Sequence, residues 1–211
     1  MTKPPELPAG VTRLRIVAIL RGCPPRWAVA VAGAAIEAGL TVLEVTLDSD
    51  SALDQVSAIK NAYPEAEVGV GSVLRAEEVS PAVESGAEFV VSPVVDVETI
   101  ELCAQLGIAS IPGAATPTEI AHARRAGATA VKVFPIEQLG GPDYLRAVMS
   151  PLRSPALIPT GGVTSENLGD YLSAGAAAVG LGSAVFPRSA LTTGDIESIG
   201  HLARSAVEAL T

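Results

Sequence analysis

One unit recurs along this chain: a helical stretch, a glycine, one or two small residues, then a β-branched apolar run. It reads as EAGLTVLEVT, ESGAEFVVSP, QLGIASIPG, RAGATAVKVFP and SAGAAAVGLGS, with marker glycines Gly39, Gly86, Gly107, Gly127 and Gly175. Their separations of 47, 21, 20 and 48 residues fit two units, one, one and two, so each unit spans about 23 residues. A glycine just past a helix end takes the left-handed conformation that closes the helix, and an uninterrupted apolar run reads as a strand buried on both faces. Each unit is therefore a helix feeding a parallel strand. The runs LRIVAIL (14–20), TVLEVTL (41–47), EVGVGS (67–72), EFVVSP (88–93), IASIPG (108–113), AVKVFP (130–135), ALIPTGG (156–162) and AVGLGS (178–183) predict eight strands, with amphipathic stretches between them at 51–62, 75–85, 96–106, 116–126 and 165–174.

Eight such units predict an α/β protein folded as a (β/α)8 TIM barrel. The expected layout is a single compact domain over residues 1–211, with 1–12 as an N-terminal extension. An open doubly wound sheet is the alternative, but the first strand ends Arg21-Gly22-Cys23-Pro24-Pro25, without a G-x-G-x-x-G turn. Aromatics are only 3% of the residues, so the core has to be built from Ala, Val, Ile and Leu, which pack strands closely against helices. The net charge of −9 and the lack of any Lys/Arg run argue against nucleic acid and anionic membranes as partners. The start MTKPPELPAG has no apolar stretch of secretory type, and the two cysteines, Cys23 and Cys103, form no disulfide framework. A cytoplasmic protein is expected.

Two predicted strands carry a charge within an apolar run: Glu44 in Val42-Leu43-Glu44-Val45 and Lys132 in Val131-Lys132-Val133-Phe134. Lysine and glutamate are seldom buried unless paired or functional. A structural ion pair would use the same residues, but both stand where barrel strands open onto the catalytic face. Burial disfavours an ammonium group, and a neutral amine attacks ketones to form an imine that acts as an electron sink. A neighbouring carboxylate supplies the proton transfers. Ketone, imine-forming lysine and acid/base carboxylate together describe a class I aldolase.

The seventh predicted strand runs into Thr160-Gly161-Gly162, with Ser165-Glu166-Asn167 opening a helix, and the eighth into Gly182-Ser183. Loops at these two places in a barrel often hold phosphate through backbone N–H groups and a helix amino terminus. Arg21, ending the first strand, is placed to hold a carboxylate or phosphate. Ser72 and Pro93 are expected to line the pocket as a donor and a shape element, and Phe134, two residues past Lys132, joins the substrate contacts. His122 and His201 read as surface residues, and no cluster has metal-ligand spacing, so neither a metal nor any other cofactor is expected.

Ile16–Gly22, Leu43–Leu47, Gly69–Leu74, Lys132–Pro135 and Pro159–Val163 closely resemble the 2-keto-3-deoxy-6-phosphogluconate aldolase family, and the resemblance extends from about residue 11 to 210. It implies that Lys132 is the Schiff-base lysine and Glu44 the proton-transfer residue. Arg21, Ser72 (threonine in many relatives), Thr160, Gly161, Gly162, Gly182 and Ser183 fall on its ligand-contacting positions. It further implies a homotrimer that makes pyruvate and glyceraldehyde 3-phosphate without metal. The phosphogluconate branch has an arginine where this chain has Asp48; the phosphogalactonate branch has asparagine-serine, closer to Asp48-Ser49. An aldolase for an unphosphorylated substrate such as 4-hydroxy-2-oxoglutarate, and a non-catalytic phosphosugar-binding barrel, are the competing readings. A phosphosugar decarboxylase would carry Asp-x-Lys-x-x-Asp, but Ala130 stands at the first position.

Overall fold

The computed structural model describes residues 4–153 and 155–210; the rest of the chain, including Lys3 in the expected N-terminal extension, lies outside the described residues. The helix stops follow from the glycines. Gly107 and Gly127, with φ of 72° and 101°, close helices Val97–Leu106 and Pro117–Ala126 in the left-handed conformation. The starts are capped by side chains. Asp96 accepts from the Thr99 N–H, and Thr116 and Glu119 form a reciprocal capping box.

The strands are β1 (Ile16–Leu20), β2 (Val42–Thr46), β3 (Glu67–Gly71), β4 (Phe89–Val91), β5 (Ala109–Ile111), β6 (Gly113–Ala114), β7 (Val131–Val133), β8 (Leu157–Pro159) and β9 (Val179–Leu181). All their pairings are parallel, in the orders β5-β4-β3-β2-β1-β9 and β6-β7-β8. The fifth predicted strand is thus two short ones, parted at Pro112, which has no N–H for a ladder. Its carbonyl still accepts from the Lys132 N–H at 2.9 Å. On the other side, Thr160 bridges to Gly180, and the Ala177 N–H donates to Leu157 O at 2.9 Å. The chain is therefore an α/β domain built on a curled parallel sheet, as the repeated unit implies.

Side-chain alternation divides the core in two. Leu43, Val45, Val68, Val70, Val131, Val133, Val179 and Leu181 pack outward with the helices. The opposite parity forms a smaller inner cluster that includes Val17, Val42, Phe89, Val91, Ile111, Ala130 and Ile158. One end of this interior is covered by helix Ala9–Leu14. Its Val11 is buried in the inner cluster, and both Glu67 carboxylate oxygens accept from the Gly10 N–H at 2.8 Å. Most inner residues are small, so the fully buried Phe89 fills much of the space, and it can do so only because position 69 has no side chain. A Cβ on Gly69 would lie 2.4 Å from the Phe89 ring. Phe89→Ala should lower the unfolding free energy by about 3–5 kcal/mol, read from the urea midpoint, whereas a surface-like cost below about 1 kcal/mol would show that the interior is not packed around this ring.

Candidate active site

Glu44 shares the parity of Val42, and Lys132 that of Ala130, so both charges point into the interior from opposite parts of the sheet. Glu44 is 2% exposed and Lys132 7%, and Nζ lies 3.5 Å from Glu44 Oε1. That oxygen has no hydrogen-bond partner within the protein. A buried carboxylate in this condition costs stability, so a purely structural role explains it poorly. Space for it is made by Gly71, where a Cβ would come 1.9 Å from Glu44 Oε1. The Lys132 ammonium position is also 5.8 Å from the centre of the Phe134 ring, which is 42% exposed at the mouth.

The other described lysine is fully engaged. Lys60 Nζ donates to Pro64 O at 3.2 Å, Ala66 O at 2.8 Å and Glu88 Oε1 at 2.5 Å. The thiols offer no competing nucleophile at neutral pH, since burial pushes Cys23 up to about 11 and Cys103 up to about 12. His122 and His201 are exposed, and among the described residues no group of three or more His, Cys, Asp or Glu side chains could hold a metal.

Above Lys132 opens a cavity of about 660 Å³ at the carboxyl ends of the strands. Arg21, Ser72, Pro93, Lys132 and Phe134 line it, as do Thr160, Gly161, Gly162, Gly182 and Ser183. Glu44 lies deeper, beside a small recess that it shares with Lys132 and Thr160. The structure thus brings together all the site residues expected from the sequence. An amine, a carboxylate within reach of its protons and a mouth with one guanidinium can support imine chemistry on an anionic ketone.

The two sides of the mouth are built differently. On one, Arg21 pairs with the Asp48 carboxylate and donates to Ser72 Oγ at 3.1 Å. Ser72 holds a left-handed φ of 60°, unusual for a residue with a side chain. Burial raises the Asp48 carboxyl, but the Thr46 hydroxyl and the Arg21 guanidinium together outweigh it and leave it below the usual carboxylate range. On the other side lie the glycine turns. Gly161 and Gly162 have φ of 93° and 82°, and a Cβ on Gly162 would meet Glu137 Oε2 at 2.5 Å. Gly182 needs no left-handed backbone, and a Cβ there would have nothing within 4 Å. The backbone thus leaves open room at this turn.

The expected helix openings are corrected by the structure. Residues 165–167 form a turn, and the helix starts only at Leu168, because Asn167 folds back to accept from the Thr164 N–H and donate to Gly162 O. After Gly182, the Val185 and Phe186 N–H groups both close on Gly182 O, and no helix begins before Arg188. Turns, rather than helix amino termini, face this side of the cavity. Sequence reasoning assigned no part in the site to Gly71 or to the buried Gln55 and Ser49. Ser49 Oγ accepts from the Gly22 N–H at 2.8 Å, and the Gln55 amide donates to Cys23 O and Asp50 O, tying the loop after β1 to the loop after β2. Gln55 gave no signal, because it stands in an ordinary amphipathic stretch; Gly71 was visible only as one glycine of an apolar run.

Comparison with known proteins gives concordant matches. The 2-dehydro-3-deoxy-6-phosphogalactonate aldolase of Escherichia coli (strain K12) is 40% identical over 83% of this chain and 86% of its own length. The KHG/KDPG aldolase of the same organism is 37% identical over 86% of this chain and 85% of its own. A crystal structure of KDPG aldolase from Legionella pneumophila, with pyruvate captured as a covalent carbinolamine intermediate, superposes with a TM-score of 0.87 at 28% identity, covering 94% of this chain and 96% of the other. The family model for KDPG and KHG aldolases matches residues 8–202. A chain matched over nearly its whole length by that model, and by relatives of that name, belongs to the KDPG and KHG aldolase family.

Proposed function

We propose that this class I aldolase cleaves a 2-keto-3-deoxy-6-phospho sugar acid to pyruvate and glyceraldehyde 3-phosphate through an imine on Lys132. The observation that carries this is the buried Nζ to Oε1 approach of 3.5 Å, beneath a cavity wide enough for such a substrate. The amine adds to the C2 carbonyl, and loss of water leaves an iminium ion. Glu44 takes the C4 hydroxyl proton as the C3–C4 bond breaks, its electron pair flowing into the iminium to give an enamine. The aldehyde departs, C3 regains a proton and water releases pyruvate.

Arg21 and Ser72 would hold the substrate carboxylate, and Pro93, Phe134 and Thr160 would shape the path along the carbon chain. Gly161, Gly162, Gly182 and Ser183 would receive the phosphate through backbone N–H groups and one hydroxyl. The open space at Gly182 supports this reading, since neither φ nor packing asks for a glycine there. For the architecture we propose a (β/α)8 barrel, supported by the two seams at Pro112 and at Thr160–Gly180. We also propose a homotrimer, which the family resemblance implies, and a cytoplasmic location, which suits two free buried cysteines. Among the described residues no helix is long and apolar enough to cross a membrane. The second reading, cleavage of an unphosphorylated substrate such as 4-hydroxy-2-oxoglutarate, is favoured by the E. coli relative named for both substrates.

Treatment with pyruvate and borohydride should add one covalent mass, mapped to Lys132, and Lys132→Arg should abolish it, because a guanidinium stays protonated. A label on Lys60, or none, would overturn the imine assignment. Glu44→Gln should still form the adduct but cleave roughly 10²–10⁴-fold more slowly, and a wild-type rate would move proton transfer to another group. For the phosphate turn, Gly182→Val should raise KM for the phosphorylated substrate roughly 10–100-fold, the value of one charged hydrogen bond, with little effect on the dephospho analogue. Equal losses for both substrates would remove phosphate from that turn.

A further inference from the structure

Three strand ends converge on one guanidinium. Arg21 follows β1, and its terminal nitrogens reach Asp48, beyond β2, and Ser72, beyond β3. Strand β1 has another neighbour as well: Leu20 pairs with Val45 of β2, while Ala18 pairs with Leu181 of β9. Arg21 therefore stands between the Asp48 loop and the turn that starts at Gly182, and all three line the same cavity. Its side chain is 54% exposed, so packing does not fix its direction; the acceptors it meets do.

The acceptor side is braced. The Thr46 hydroxyl hydrogen-bonds the Asp48 carboxylate and lies 3.3 Å from the Ser49 hydroxyl. Thr46 and Ser49 are both buried, and Ser49 Oγ accepts from the Gly22 N–H next to Arg21. Gln55, 2% exposed, clamps Cys23 O at 3.0 Å and Asp50 O at 2.7 Å. The loop carrying the guanidinium and the loop carrying its carboxylate are thus tied to each other by hydrogen bonds. In a substrate joined at C2 to Lys132 with its phosphate on the glycine turns, the carboxylate lies on the other side of C2 from the phosphate. It would point away from β8 and β9, toward the part of the cavity lined by Arg21, Asp48 and Ser72.

We propose that Asp48 is a specificity-determining residue: it holds Arg21 on the β2–β3 side of the mouth, reserving it for the substrate carboxylate and keeping it off the phosphate turn. The proposal rests on the imine and phosphate assignments given above. Phosphate is then met by neutral donors alone, and part of the possible discrimination for phosphorylated substrates is given up in favour of binding the keto-acid end.

The test is a double-mutant cycle on Asp48 and Arg21, read as kcat/KM for a phosphorylated substrate over its dephospho analogue. In Asp48→Ala the freed guanidinium swings to the phosphate turn. The ratio should rise roughly tenfold, with KM for pyruvate in the condensation direction rising as well, as expected when a charged hydrogen bond moves between ligand groups. Asp48→Asn, which keeps an acceptor oxygen without the charge and preserves the side-chain shape, should give a smaller shift in the same direction. In an Arg21→Ala background, Asp48→Ala should leave the ratio unchanged, because Asp48 acts through the guanidinium. A ratio unmoved in both Asp48 variants, an equal change for both substrates, or the same shift without Arg21 would each overturn the proposal. Borohydride labelling by pyruvate is the separate control. If the wild-type protein labels at Lys132 and the ratio stays fixed, the Asp48 proposal alone falls; if the wild-type protein does not label, the imine reading falls and takes the proposal with it.

Discussion

The inside of the curled sheet is small and mostly apolar, yet it contains a lysine and a glutamate 3.5 Å apart. Neither charge would be tolerable there alone, since an unpaired buried ion costs far more than a side-chain contact returns. Much of the local sequence follows from accommodating the two together. Gly71 is bare because Glu44 lies across it, and Gly180 is bare because a Cβ would meet Thr160 Oγ1 at 2.3 Å. Outward positions on the same strands are free of this restriction and carry ordinary Val and Leu.

The mouth above that pair has two unlike halves, and the difference suits a protein with a net charge of −9. One half presents a single arginine already bound to a carboxylate, so its local charge is close to neutral until an anion arrives. The other half offers backbone turns whose cavity-lining residues, from Thr160 to Thr164 and from Gly182 to Ala184, carry no charge, with the Glu137 carboxylate close to Gly162. Backbone donors carry no net charge and need no counter-ion, so they can receive a dianion without a standing positive patch on an acidic surface. The site is therefore built mainly from geometry rather than from accumulated charge.

Membership in an aldolase family places the chain among carbon–carbon lyases, and the proposed mechanism locates that chemistry at the buried pair. Lys60 is spent on two carbonyls and Glu88, and both cysteines are pushed out of the reactive range by burial. Among the described residues, Lys132 alone combines an amine with a cavity and a nearby carboxylate.

The sequence by itself determined the repeating helix-to-strand unit, because glycine stops and β-branched runs are local properties with a fixed period. It also singled out Glu44 and Lys132, since a charge inside an apolar strand is conspicuous without any knowledge of the fold, and Arg21, since a strand end is readable from its own residues. Only the tertiary structure decided how far apart those charges stand and what surrounds them. The pairing of Arg21 with Asp48 spans two loops, the Gln55 clamp joins residues far apart in sequence, and the bare position at Gly71 is explained by a side chain from the neighbouring strand. The loops after Thr160 and Gly182 are expected to present helix amino termini because phosphate sites at these two places of a barrel often do. They are turns because Asn167 and Gly182 O satisfy the backbone groups on the spot, a choice between competing hydrogen bonds that residue types alone leave undecided.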